Sequence, residues 1–217
     1  MTHRRTLEKI LASGSIAIVR ATIACDLMGI VEALGEGGLE VVEITATTPG
    51  ACEAIHRVST GLPDVLIGAG TVIDAASARR VLDAGARFLV SPTMDEEVMQ
   101  VACERQAVAI PGALTPTEIV AARNAGADVV KVFPAATYGP DYIQALKAPL
   151  PGIRLAPTGG VTGANAGAYL QAGAAVVCVG SWLVPRDAVR RGKYAVISER
   201  ARALVNTVAR FQERVNE

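Results

Sequence analysis

Aromatic side chains are scarce in this chain: three Phe, four Tyr and one Trp among 217 residues. The 51% of residues that are hydrophobic are therefore mostly Ala, Val, Leu and Ile, a composition suited to parallel strands covered by helices. Net charge is lacking too. With 21 basic and 21 acidic residues the formal charge is zero, and without a basic excess the chain is a poor match for nucleic acid or an anionic membrane surface. A small anionic substrate needs only local positive potential. The four cysteines, Cys25, Cys52, Cys103 and Cys178, form no CxxC pair and no zinc-type spacing, so they read as isolated thiols in a reducing compartment. Only His3 and His56 are present, and no acidic cluster has metal-ligand spacing, so no metal site is expected. Met1-Thr2-His3-Arg4-Arg5-Thr6 has charge but no apolar stretch behind it, and no apolar run reaches bilayer length. The expectation is a cytoplasmic protein with no membrane partner.

What is present is an eightfold alternation. Short apolar runs at 15–20, 39–45, 65–70, 87–91, 107–111, 129–133, 154–158 and 175–180 recur at intervals of roughly 20 to 26 residues. Segments of helical periodicity separate them, at 24–36, 48–59, 75–84, 94–105, 115–125, 139–146 and 163–172, and 198–215 reads as a last outer helix with Ala201, Leu204, Val205, Val208 and Phe211 on one face. Strands separated by helices imply parallel pairing through crossovers. Glycine-bearing helix ends precede four of the strands, at Gly37-Gly38, Gly85, Gly126 and Gly173. Together these predict an α/β fold, a (β/α)8 TIM barrel forming a single domain over residues 1–217 with a short N-terminal helix. A doubly wound open sheet gives a similar local pattern. Its dinucleotide-binding form lacks support, because Gly68-Ala69-Gly70-Thr71-Val72-Ile73 has two glycines of GxGxxG but not the third.

Lys131 lies inside Asp128-Val129-Val130-Lys131-Val132-Phe133-Pro134, where an ordinary surface lysine has no reason to be. A buried ammonium is costly unless it is paired or sheds its proton, and the desolvated free amine attacks carbonyls to form Schiff bases. The alternative is a lysine whose stem lies along an apolar wall while its head reaches solvent. Glu43 repeats the anomaly in Val41-Val42-Glu43-Ile44. If both face the barrel interior, a carboxylate near an amine can shuttle protons for an imine mechanism, or the two form a structural ion pair.

Barrel active sites lie at the carboxyl ends of the strands, and the residues expected there are Arg20, Glu43 with Thr45 and Thr47, Thr71, Pro92, Lys131 with Phe133, Thr158-Gly159-Gly160 and Gly180-Ser181. The glycine loops after the seventh and eighth runs occupy the usual place of a barrel phosphate site, where backbone N–H groups and the Ser181 hydroxyl are donors; the alternative is tight turns without a ligand. Arg20 either anchors a substrate carboxylate, pairs with Glu43 or reaches solvent. Thr71 either joins it on that carboxylate or closes a turn, and Pro92 either lines the site or shapes a loop.

These segments carry a resemblance. Val42-Glu43-Ile44-Thr45, Ile67-Gly68-Ala69-Gly70-Thr71-Val72, Val90-Ser91-Pro92, Ile110-Pro111-Gly112, Lys131-Val132-Phe133-Pro134, Pro157-Thr158-Gly159-Gly160-Val161 and Gly180-Ser181-Trp182-Leu183-Val184 resemble 2-keto-3-deoxy-6-phosphogluconate (KDPG) aldolases, a family that includes 4-hydroxy-2-oxoglutarate aldolases. The resemblance implies a class I aldolase, a homotrimer without metal or organic cofactor, whose small-molecule partners are a keto acid and a phosphorylated aldehyde: it cleaves its substrate to pyruvate and glyceraldehyde 3-phosphate. Lys131 would form the Schiff base and Glu43 would shuttle protons. Thr71 and Pro92 would line the pyruvate pocket beside Phe133, and Gly159, Gly160 and Ser181 would hold phosphate. One departure stands out: Thr47 occupies a position where many members carry a carboxylate-binding arginine, so Arg20 is expected to take over part of that role. The 6-phosphogalactonate epimer and 4-hydroxy-2-oxoglutarate remain alternative substrates. More distant alternatives are a phosphate-binding isomerase or synthase with an electrostatic Lys131, and a non-catalytic sugar-phosphate sensor.

Overall fold

The computed structural model describes residues 1–22 and 25–216. Its strands are β1 (Ser15–Val19), β2 (Val41–Thr45), β3 (Leu66–Gly70), β4 (Phe88–Val90), β5 (Val108–Ile110), β6 (Gly112–Ala113), β7 (Val130–Val132), β8 (Leu155–Pro157) and β9 (Val177–Val179). Its helices are α1 (His3–Ser13), α2 (Leu27–Glu36), α3 (Ala51–Gly61), α4 (Ala75–Asp83), α5 (Glu96–Glu104), α6 (Pro116–Asn124), α7 (Gly139–Lys147), α8 (Ala166–Gln171), α9 (Arg186–Arg190) and α10 (Ala195–Asn216). Among the described residues no helix is long and apolar enough to cross a membrane.

Side-chain caps start several helices. Asp26, Asp74 and Asp95 accept hydrogen bonds from the backbone of Gly29, Ser77 and Val98, and Thr115 with Glu118 closes a capping box ahead of α6. Each such cap is worth about 1 kcal/mol. The helix exits at Gly38, Gly85, Gly126 and Gly173 all have positive φ, as the sequence predicts. Helix starts are less legible. Residues 48–50 form a turn, with the Thr48 N–H on Thr45 O and the Ala51 N–H on Thr48 O, so α3 begins three residues later than periodicity suggests. The helix predicted over 24–36 begins at Leu27, after the Asp26 cap, and Ala24 lies outside the described residues.

Every strand pairing is parallel, but the ladders fall into two groups, in the orders β5-β4-β3-β2-β1-β9 and β6-β7-β8. The fold is a mixed α/β one built on a curled parallel sheet, where the sequence predicts a single closed eight-stranded barrel. Pro111 explains one break. It interrupts the fifth run and offers no N–H, so Val108–Ile110 pairs with β4 while Gly112–Ala113 pairs with β7. At the other edge β8 and β9 are three residues each, and they are joined by the Ala175 N–H to Leu155 O bond (2.9 Å) and the Thr158–Cys178 bridge.

Period-two alternation sorts the strand residues into two cores. Ile16, Val41, Leu66, Phe88, Val108, Val129 and Val176 join one cluster inside the curl, while their neighbours Ala17, Val42, Ile67, Leu89, Ala109, Val130 and Val177 belong to the layer beneath the helices. Helix α1 seals the amino-terminal end of the inner cluster with the fully buried Ile10, flanked by Leu7 and Leu11. Helix α10 buries Ile197, Ala201, Leu204 and Val208 and packs on α2 and α8. The amino-terminal end of the interior is therefore filled by apolar side chains, and Glu43 and Lys131 lie toward the other end.

Candidate active site

Glu43 follows Val41 by two residues and Lys131 follows Val129 by two, so each projects from the same face as an interior valine. Lys131 is 4% exposed and Glu43 1%. Its register partners, Gly112 on β6 and Ala156 on β8, leave Lys131 flanked by small residues, and its Nζ lies 5.2 Å from the Phe133 ring centroid.

Neither carboxyl oxygen of Glu43 has a hydrogen-bond partner among the described residues. The buried pair that the sequence left open is thus not made as a hydrogen-bonded one. Burial pushes the Glu43 carboxyl up from its ordinary value, and the positive charges of Lys131 and Arg20 pull it only part of the way back. A buried polar group without a protein partner is costly, and a carboxyl shifted in this direction is better matched to general acid–base work than an exposed one. The fold makes room for it at Gly70, where a Cβ would lie 1.9 Å from Glu43 Oε1. Gly70→Ala is therefore expected to displace the carboxyl and lower turnover by about 100-fold. Steady-state kinetics beside a thermal melt checks this: an unfolding midpoint near that of the native protein with turnover lost separates displacement from misfolding.

Cys178 on β9 is fully buried close by, and burial pushes its thiol up to about 12, with the Glu43 charge adding to the shift. It is a protonated thiol at neutral pH and a poor nucleophile there.

A cleft of about 300 Å3 opens over these groups. Of the residues singled out from the sequence, Arg20, Glu43, Pro92, Lys131, Phe133, Thr158, Gly159, Gly160, Gly180 and Ser181 line it together. Gly159 and Gly160 turn the chain with φ of 90° and 78°, and the Gly159 carbonyl accepts from the Ala136 N–H of the turn after β7. Ser181 is exposed at the mouth. Thr45, Thr47 and Thr71 are not part of that lining. The Thr45 hydroxyl is 2.8 Å from that of Thr48 and 3.3 Å from that of Thr47, and Thr48 Oγ1 accepts from the Ala21 N–H, so this cluster ties the loop after β2 to the loop after β1. Thr71 meets the site through Arg20, whose Nη2 donates to Thr71 Oγ1 at 2.9 Å. Its φ of 56° is rare for a β-branched residue, a local strain of the kind that collects at working sites.

The structure adds Ile18, Val161, Val184 and Arg186 to the lining. The sequence signal for Arg186 is weak, a basic residue just past Gly180-Ser181-Trp182-Leu183-Val184 in a stretch with no strand or helix pattern of its own. Among the described residues no group of three or more His, Cys, Asp or Glu side chains is placed to hold a metal ion.

A buried lysine, an unpartnered carboxyl and basic and glycine-rich walls in one cleft suit carbonyl chemistry on an anionic substrate. Comparison with known proteins agrees. The model of the KDPG and KHG aldolase family matches residues 7–200. The KHG/KDPG aldolase of Escherichia coli strain K12 is 36% identical over 204 residues, 93% of this chain and 96% of the relative. A protein of Rhizobium meliloti named probable 2-dehydro-3-deoxy-6-phosphogalactonate aldolase is 39% identical over 170 residues, 77% of this chain and 80% of the relative. Among solved structures, the KDPG aldolase of Legionella pneumophila with pyruvate captured at low pH as a covalent carbinolamine intermediate superposes with a TM-score of 0.83 at 32% identity, covering 92% of this chain and 97% of that one.

Proposed function

As the chain belongs to the KDPG and KHG aldolase family, we propose that it is a class I aldolase cleaving 2-keto-3-deoxy-6-phosphogluconate to pyruvate and glyceraldehyde 3-phosphate, with Lys131 as its Schiff-base residue. The observation that carries this reading is the buried Lys131 amine sharing one cleft with a Glu43 carboxyl that no group among the described residues satisfies. In its uncharged form Lys131 attacks the C2 ketone to give a carbinolamine; the acid form of Glu43 gives its proton to the departing hydroxyl, so that loss of water leaves a protonated imine that acts as an electron sink and a Glu43 carboxylate. The C3–C4 bond breaks, its electron pair passes into the enamine, and Glu43 takes the proton of the C4 hydroxyl as the aldehyde departs. Glu43 then returns that proton to the enamine carbon, and hydrolysis frees pyruvate and Lys131.

Arg20 binds the pyruvyl carboxylate, with Thr71 acting through the hydrogen bond that positions the Arg20 guanidinium and with Pro92 and Phe133 as walls. Thr45 and Thr47 act at the edge of this subsite by fixing the loop after β2. Thr158, Gly159, Gly160, Gly180 and Ser181 form the phosphate subsite. Arg20→Ala is expected to raise the KM for pyruvate in the synthetic direction about tenfold; an unchanged KM would remove Arg20 from this role.

The bonds that bridge the two strand groups support a (β/α)8 barrel as the underlying architecture, the family match over residues 7–200 supports a single domain, the resemblance supports a homotrimer, and the isolated cysteines support a cytoplasmic setting. The relative named as a phosphogalactonate aldolase favours a second reading, in which the epimeric acid is the preferred substrate. Cleavage of the two epimeric phosphorylated acids and of 4-hydroxy-2-oxoglutarate, each coupled to pyruvate detection, tests both. Fastest turnover of the phosphogluconate-derived acid supports the first reading, faster turnover of its epimer the second, and no pyruvate from any of the three contradicts both.

A further inference from the structure

We propose that Arg186 is a specificity-determining residue that grips the terminal phosphate of the substrate; this rests on the aldolase reading above and deepens it. Arg186 lines the cleft that holds Lys131, Glu43, Gly160 and Ser181, and it also lines a hollow of about 700 Å3 alongside, which shares Arg20, Ser181 and Val184 with the cleft. Arg186 is thus one of the residues common to the two spaces.

Its charge is uncommitted. Among the described residues Arg186 has no salt bridge or side-chain hydrogen bond, although Asp187 is its chain neighbour. Asp187 is taken by Arg190, whose guanidinium holds that carboxyl below the usual carboxylate range. An exposed arginine kept apart from the nearest acid in a protein of zero net charge marks the cleft for an anion. Lys131, Arg20 and Arg186 face a single carboxyl there, Glu43, and its burial works against its ionisation.

Position separates the two arginines. The order β3-β2-β1-β9 places Arg20 after β1, and its bond to Thr71 directs it over β2 toward the end of β3. Arg186 follows β9, the strand bridged to the Thr158 loop, and lies on the side of Gly159, Gly160 and Ser181. Arg20, bonded to Thr71, is thereby assigned to the carboxylate next to the carbonyl that reaches Lys131, and Arg186 to the far, phosphorylated end of the substrate. A phosphate suits the Arg186 end, because a guanidinium fork engages two oxygens and leaves the third for the glycine-loop N–H groups and the Ser181 hydroxyl.

The test compares the native protein with Arg186→Leu and Arg186→Lys on 2-keto-3-deoxy-6-phosphogluconate and on the same acid without phosphate. Arg186→Leu is expected to lower the ratio of kcat/KM values, phosphorylated over unphosphorylated, by about 10- to 100-fold, because a charge-assisted hydrogen-bonded contact is lost. Arg186→Lys should restore part of that ratio. A ratio unchanged in Arg186→Leu overturns the proposal, whether both substrates slow equally or neither does. Borohydride trapping of pyruvate on all three proteins keeps the two failures apart. Trapping with an unchanged ratio sinks only the role of Arg186, whereas no trapping in the native protein sinks the aldolase reading itself.

Discussion

Replacing Lys131 by methionine is expected to reduce pyruvate release by roughly 10⁵-fold or more, since the covalent route is removed rather than weakened. Methionine has nearly the same length and is apolar, so it fills the space between Gly112, Ala156 and the Phe133 ring without leaving a charge in the interior. The fold should therefore persist, with a far-ultraviolet spectrum and a melting midpoint close to those of the native protein. Loss of the Lys131 charge also removes one of the two influences that lower the Glu43 carboxyl, so that group moves further up. A folded Lys131→Met variant that still turns over within tenfold of the native rate would show the lysine to be electrostatic.

Glu43→Gln is expected to separate activity from stability. Turnover should fall by about 10²- to 10⁴-fold, the usual contribution of a positioned acid–base group, while the protein becomes harder to unfold. The sign follows from linkage. Unfolded, the carboxyl ionises at its ordinary 4.5; folded, burial holds that value higher. Well below 4.5 both states are protonated and the stability associated with the protonated form is fully present. As pH rises past 4.5 the unfolded chain releases its proton first, and that stability is lost until the folded carboxyl ionises too. Glutamine carries no such dependence, so the melting midpoint of Glu43→Gln should exceed that of the native protein at neutral pH and converge with it in acid. Melts from acid to neutral pH check this, and a variant less stable at neutral pH would mean that the carboxylate is satisfied after all.

How far these roles are readable from sequence differs from residue to residue. Lys131 and Glu43 stand out because period-two alternation already places them beside Val129 and Val41, and a charge on an interior face has few structural excuses. The glycine exits are readable for a similar reason, since only a narrow set of residues accepts the backbone conformation at Gly38 or Gly173. Partner choice is a non-local property. Nothing in the fifth run says that its two halves pair with different strands until Pro111 is seen between β4 and β7. The threonines illustrate the same limit: Thr45, Thr47 and Thr71 occupy strand ends as expected, yet their hydroxyls engage one another, Thr48 and Arg20 instead of lining the cleft. Arg186 carries only a weak signal because α9 is five residues long, with no apolar repeat to announce it.

Borohydride reduction in the presence of pyruvate reads the central claim most directly. Reduction of the imine should attach a pyruvate-derived group irreversibly to the protein, and peptide mass spectrometry should find it on the peptide carrying Lys131, with none in Lys131→Met. An unmodified Lys131 after reduction with saturating pyruvate, or the same mass on a different lysine, would contradict the account.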